Sequence, residues 1–370
     1  MCLSLQSLSK GHCVHNSSPM PGVQLKKDSP LRYPFSPPAA DGSVVEVAAG
    51  VLWLRMPMPM SLDHINVYLL RDGPGWTIVD TGLGLPATHA LWEQIFTTGQ
   101  LAGHKPTRLI CTHCHYDHAG AAAWLQAHFN IPLLMSYGEF MMLRLQMGPP
   151  PDPLPQAHAD FYACSGLDDE QVQRMFAVLR KDPFRNVPPV TYERLRQGQV
   201  LHLGDDAWQV VVGEGHSPEH VCLYDARRKI LVAGDQLLPG ITSNVMVTPF
   251  EPNGNPLQGW LESMRRLREL DAQTLVLPSH QGVFYGVRER ADQIVAHHMD
   301  QFSMVRTHLR QHPRASAADI MHVLFPRLRS PMDQLLALGE TFAHLNWMRC
   351  QGELQRIRGN NKIDYFSLVE

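Results

Sequence analysis

Residues 111–120 read CTHCHYDHAG, and within six consecutive positions they supply His113, His115, Asp117 and His118, directly after the strand-like run Arg108-Leu109-Ile110. Side chains alternate along an extended segment, so His113 and His115 point to one side and can reach a single metal ion. Asp117 and His118 come after the chain turns, where they meet a second ion beside the first. Imidazole and carboxylate suit zinc, manganese or iron, and there are more of them here than one tetrahedral ion uses. Cys114 lies between two of these ligands, but its side chain faces the opposite way, which places it behind the site rather than on a metal.

A two-metal site needs further ligands from elsewhere in the chain. Three candidates stand just beyond predicted strands: His216 in GEGHSPEH (213–220), Asp235 in LVAGDQ (231–236) and His280 in LVLPSHQG (275–282). Each follows an apolar run that ends in a small residue or proline. Ligand loops between a strand end and a helix start are a common placement in layered α/β folds.

The ordered set HxHxDH, GHSPEH, AGD and PSH, with the turn Val79-Asp80-Thr81-Gly82 upstream, resembles the metallo-β-lactamase superfamily, and its ligand set is nearest to the glyoxalase II-like hydrolases. The resemblance covers roughly residues 43 to 290 and implies an α/β fold, the αββα sandwich. It makes His113, His115 and His216 ligands of the first ion, Asp117, His118 and His280 ligands of the second, and Asp235 the bridge. Two zinc ions are implied, with iron or manganese as alternatives. Such pairs, ~3.5 to 4 Å apart, share a hydroxide that attacks an acyl carbon. Asp117 then also orients the nucleophile and takes its proton. Asp80 either holds a ligand loop through hydrogen bonds or forms a turn before Thr-Gly. His220 either orients His216 or caps a turn. Glu219 departs from the glycine more usual before the last histidine of GHSPEH.

Composition agrees with a globular enzyme. The chain has 370 residues, 44% hydrophobic and 18% charged, which allows one large domain with appendages or two domains. A formal net charge of -3 gives no field arguing for nucleic acid or an anionic membrane. No apolar run approaches the ~18 to 20 residues that span a bilayer. The seven cysteines are odd in number, scattered and without CxxC spacing, so a reducing cytoplasm is the simplest setting. The first twenty residues lack an apolar h-region, and they read as a disordered or mis-assigned start.

Along the chain, residues 1–42 are expected to form a flexible arm, rich in proline and small residues after position 21. Residues 43–290 are expected, from the resemblance, to form the metallo-β-lactamase-like domain. Within it, 138–197 is a helical insert broken by the prolines of GPPPDPLP and NVPPV. Residues 291–370 turn mostly helical and end in a strand-like pair, as a winged-helix-like unit would. Their nine Lys and Arg against eight Asp and Glu leave a net of +1, too weak for a nucleic-acid footprint. A packing or homodimerisation cap is the expected role of this tail.

Substrate signals are thinner. In MPMPMSLDHIN (56–66), methionines alternating with prolines suggest an adaptable loop facing substrate, with packing as the alternative. With Tyr137, Phe140 and Met141 of the insert they would roof an apolar acyl pocket. The expected reaction is hydrolysis of an acyl thioester, ester or lactone, on a small-molecule substrate without nucleic-acid or membrane partners. The rivals are an iron-dependent persulfide dioxygenase, separable by oxygen uptake, and DNA binding through the tail, separable by salt-dependent affinity.

Overall fold

The computed structural model describes residues 31–60, 62–146, 153–180, 189 and 191–369. Most of the expected N-terminal arm, with Cys2 and Cys13, lies outside them.

Two sheets face one another. The first has seven strands in chain order: β1 (Val45–Ala48), β2 (Val51–Pro57), β3 (His64–Asp72), β4 (Gly75–Val79), β5 (Pro106–Ile110), β6 (Leu133–Met135) and β7 (Glu193–Arg194). From β4 onward its strands run parallel. The second sheet contains β8 (Val200–Leu203), β9 (Asp206–Gly213), β10 (His220–Asp225), β11 (Ile230–Gly234), β12 (Leu275–Pro278) and β13 (Phe284–Tyr285), with β11 and β12 parallel. Between them, Trp53, Tyr68, Val79 and Ile110 of one sheet pack on Trp208, Val221, Leu223 and Val232 of the other. Burying such side chains contributes roughly 1.5 to 3 kcal/mol each.

Helices cover both outer faces. Leu91, Trp92 and Ile95 of α1 (Pro86–Thr97) join the core outside the first sheet. The ligand loop turns into the short α2 (Tyr116–Ala119), followed by α3 (Ala122–Phe129) and α4 (Tyr137–Gln146). The insert continues as α5 (Gln156–Ala163) and α6 (Asp169–Arg180). The second sheet is covered by α7 (Pro256–Arg268) and α8 (Val287–Gln311). Leu257, Trp260, Leu261, Met264 and Leu267 form the buried stripe of α7, at the helical spacing its sequence carries. The sandwich is therefore αββα, as the resemblance implies.

The tail continues from α8 through β14 (Ala315–Ser316), α9 (Ala317–Leu324), α10 (Pro331–Cys350), β15 (Leu354–Arg358) and β16 (Asp364–Leu368), with β14 and β15 flanking β16. That order is the winged-helix order. Ser316 and Asp319 make a reciprocal capping box at the start of α9. The insert docks on this unit: Phe161 meets Phe342 at 5.0 Å between ring centroids, and the Asp364 N–H donates to the Cys164 carbonyl at 2.9 Å. One apolar cluster joins α5, α6 and α7 with α8, α9 and α10.

Two expectations change. The expected arm does not stay free throughout: Leu31 is buried, and Arg32 exchanges two backbone hydrogen bonds with Tyr285, adding one bridge to the edge strand β13. The methionine run closes β2 and enters the loop to β3, and of its two readings packing is the one that holds. Met56 lies in β2 opposite Ile65, Met58 is buried just past the strand end and Met60 is half-buried in the bend that follows, and all three pack on the core cluster that includes α1.

Candidate metal centre

The strands β5, β11 and β12 deliver their ligand loops to the same end of the sandwich, where the loop after β9 also arrives. His113, His115 and His216 come together there. So do Asp117, His118 and His280, while Asp235 lies with His113 and His118; in each group the ligating atoms are within 4.8 Å of one another. All seven residues singled out in the sequence thus meet in one place. His113 and His118 are fully buried, and the side chain of Asp117 is the more exposed of the two carboxylates, at 21%.

Asp235 stands at the centre. Its Oδ2 is 3.5 Å from His216 Nε2, and its Oδ1 is 3.6 Å from both His118 Nε2 and His280 Nε2. His280 Nε2 is 3.3 Å from Asp117 Oδ2. Two ligand atoms each ~2.0 to 2.1 Å from one tetrahedral ion stand about 3.3 to 3.5 Å apart. The separations match ligands converging on cations better than hydrogen-bonded pairs. His118 Nε2, His216 Nε2 and Asp235 Oδ1 are buried with no hydrogen-bond partner among the described residues. Three orphaned polar atoms in one place are costly unless something ligates them, so the donor set fits metal.

The charges divide the site. Burial, then the neighbouring imidazoles, holds His113 well below its ordinary range and brings His115 down to about 3, so both present neutral nitrogen. Burial opposes ionisation of Asp117, yet the imidazoles of His118 and His280 outweigh it and hold the carboxyl at about 2. Asp235 lies well below the usual carboxylate range for the same balance, with His280 and His118 prevailing over burial. Neutral imidazole and ionised carboxylate are the forms that bind metal; His118 and His280, by contrast, are held above their ordinary range, since burial opposes protonation but the neighbouring carboxylates outweigh it, so they give up protons as metal enters.

A surrounding layer aims these ligands. Asp80 adopts a left-handed backbone, φ 63°, which aspartate tolerates. Its carboxylate accepts from Thr112 N at 2.8 Å, Thr112 Oγ1 at 2.9 Å and His118 Nδ1 at 2.8 Å. Of the two roles open to Asp80, it therefore has the one that holds the ligand loop. Asp80→Asn is expected to weaken metal binding about 10- to 100-fold, measured by competition with a chromogenic chelator; unchanged affinity would remove Asp80 from this role.

His280 Nδ1 donates to the His64 carbonyl at 3.1 Å, and Asn66 Nδ2 and Tyr68 Oη donate to the Pro278 carbonyl, which ties the last ligand loop to β3. His220 Nε2 accepts from the Asp235 N–H at 3.1 Å; it orients the aspartate rather than His216. Gly234 allows this, because a Cβ there would lie 2.5 Å from the His220 ring. His216 Nδ1 is held instead by the Asn244 carbonyl at 2.8 Å.

Sequence reasoning did not find Glu139. This fully buried carboxylate on α4 accepts from Cys114 N at 2.9 Å and from Glu219 N at 2.8 Å, joining the first two ligand loops. Glu219 in turn accepts from Gly138 N at 2.8 Å, which gives the unusual residue its place. The only signal was a lone acid in the apolar stretch LLMSYGEFMML (133–143). Glu139→Ala would orphan two buried N–H groups, at about 1 to 3 kcal/mol each. Thermal melting is expected to show clear destabilisation, and an unshifted melting curve would contradict that role. Cys114 is buried, and its side chain belongs to the core outside the first sheet. Phe140 is likewise core, stacked on Tyr192 at 3.9 Å, and not a roof over substrate. On the other face of α4, Tyr137, Met141 and Leu145 form an exposed apolar stripe at i, i+4 and i+8.

Comparison with known proteins agrees with this geometry. Residues 60–280 match the Metallo-beta-lactamase superfamily, and residues 302–369 match a Metallo-beta-lactamase-like, C-terminal domain. The chain belongs to the metallo-β-lactamase superfamily. It is a metal-binding hydrolase of that superfamily. Among its relatives is the acyl-coenzyme A thioesterase MBLAC2 of Gallus gallus, 30% identical over 247 residues that cover 64% of this chain and 80% of the relative. The crystal structure of a Beta-lactamase domain protein from Burkholderia ambifaria superposes with a TM-score of 0.84 at 40% identity, covering 92% of this chain and 98% of the other. That of a metallo-beta-lactamase family protein from Thermus thermophilus gives 0.72 at 27%, covering 87% and 100%.

Proposed function

We propose that this chain is a binuclear metal-dependent hydrolase that cleaves acyl thioesters of small-molecule substrates. The observation that carries the reading is the split carboxylate of Asp235, one oxygen toward His216 and the other toward His118 and His280. A residue so placed would bridge two ions. His113, His115 and His216 would hold the first, and Asp117, His118 and His280 the second, with zinc as the expected metal and iron or manganese as alternatives. When bound, such a pair polarises an acyl oxygen and makes a water acidic near neutral pH.

The chain's own residues then act around it. Asp117, the more exposed of the two carboxylates and ionised, accepts a hydrogen bond from the attacking water and orients it toward the acyl carbon. The imidazoles fixed by Asp80, His64 and Asn244 cannot swing away, so the site is pre-organised. The apolar stripe Tyr137, Met141 and Leu145 begins beside Gly138, which is bonded to Glu219 of the His216 loop. This stripe supports an apolar acyl group. The thioesterase name of the Gallus gallus relative supports thioesters over the ester and lactone bonds equally open to the chemistry.

The winged-helix order of the tail raises DNA binding, but α10 is buried along most of its length, from Leu335 to Met348, and packs on α6, α7 and α9. A recognition helix needs an open face. No helix among the described residues is long and apolar enough to cross a membrane.

The test is a panel of acyl thioesters of increasing chain length, esters, lactones and β-lactams, assayed with metal content and oxygen uptake followed in parallel. Expected is hydrolysis of thioesters in preference to β-lactams, improving with chain length, without oxygen consumption. Oxygen uptake with glutathione persulfide on an iron-loaded protein would replace this reading with the dioxygenase.

A further inference from the structure

The C-terminal unit reaches the metal centre through the loop of residues 243–247, between β11 and α7. This loop touches two of the proposed ligands: the Asn244 carbonyl accepts from His216 Nδ1 at 2.8 Å, and Ser243 Oγ donates to the Asp235 carbonyl at 2.5 Å. One turn of α10 grips its other side. Asn244 Nδ2 donates to Glu340 Oε2 at 2.6 Å and to the Leu336 carbonyl at 3.4 Å, and Val247 N donates to the Gly339 carbonyl at 3.0 Å. The approach is close: a Cβ on Gly339 would lie 2.7 Å from Met246 Cβ and 3.2 Å from the Val247 carbonyl oxygen.

We propose that Gly339 and Glu340 of α10 are positioning residues for the metal centre, clamping loop 243–247 so that Asn244 holds His216 with its Nε2 bare and turned toward the ion. The inference rests on the metal reading above and gives the C-terminal unit a role in it. A histidine that donates Nδ1–H to a fixed carbonyl keeps its lone pair on Nε2, the atom a metal needs. The carbonyl is fixed only while the asparagine side chain is held, and its strongest anchor is Glu340. This carboxyl is fully buried beneath the loop, and His344 one turn on donates to the Glu340 carbonyl at 2.8 Å, tying the clamp to the buried His298–His344 pair. Burial pushes the Glu340 acid up to about 8, so glutamine is a close mimic of its neutral form.

The experiment compares the full-length wild-type protein with Glu340→Leu, Gly339→Ala, Glu340→Gln and Arg306→Ala. The last removes the pairing of Arg306 with Glu353, which ties α8 to the start of the wing without touching the loop. Zinc affinity is measured by chelator competition, the absorption spectrum is recorded after cobalt substitution, and folding is followed by circular dichroism. Glu340→Leu and Gly339→Ala are expected to lose metal about 10- to 100-fold more readily and to alter the cobalt spectrum. Glu340→Gln, which still offers an oxygen to Asn244, should restore most of the affinity. Arg306→Ala should destabilise the tail and leave metal affinity alone. The proposal is overturned if Glu340→Leu and Gly339→Ala bind metal as tightly as wild type, or if Arg306→Ala weakens it equally. Wild-type protein that binds no metal would instead overturn the metal reading beneath it.

Discussion

Asp235→Ala is expected to lower turnover by about a thousandfold or more while the protein keeps its fold. The side chain faces both clusters, which makes it the hardest ligand to replace. Its removal leaves the local backbone anchored, because the N–H of residue 235 still reaches His220. Circular dichroism should therefore be unchanged, while metal content falls by at least one ion per chain. A folded Asp235→Ala variant with wild-type turnover would remove the bridging role.

Stripping the metal is expected to abolish thioester hydrolysis and to lower the melting temperature by several degrees, both reversed by adding zinc. The stabilisation lost follows from mass action, about 2.7 kcal/mol for one site at a hundred times its dissociation constant. It should also fade in acid, because ligand imidazoles that take up protons leave the metal. Cys114→Ala should respond to stripping and reloading as wild type does, since the thiol is buried in the core outside the sheet and away from the ligating atoms. Full activity in rigorously metal-free protein would contradict the account. A requirement for Cys114 in rebinding would place a thiol among the ligands.

Much of this was legible in the chain because the site is made of strand ends. A short apolar run followed by a small residue and a histidine or aspartate is a local pattern, and it recurs at residues 113, 216, 235 and 280. The sandwich was implied by the resemblance that the ordered ligand motifs carry, not by the runs themselves. What stayed hidden depends on contacts far apart in sequence. Asn244 and Glu340 lie 96 residues apart, and neither sits in a motif. Glu139 looks like any helical acid until the fold brings Cys114 and Glu219 to it. The methionine run left its two readings open for a different reason. Pro57 does close β2 opposite His64 and the loop begins at Met58, but a turn signal carries no information about which methionines the fold buries.

Seven side chains holding two ions would give the metal-loaded protein a distinct scattering signature. Anomalous scattering from crystals of the metal-loaded protein, collected at the absorption edge of the bound metal, tests for it directly. Two peaks per chain are expected, one among His113, His115 and His216 and one among Asp117, His118 and His280, with Asp235 between them. A single peak, or peaks away from these residues, would contradict the two-ion reading.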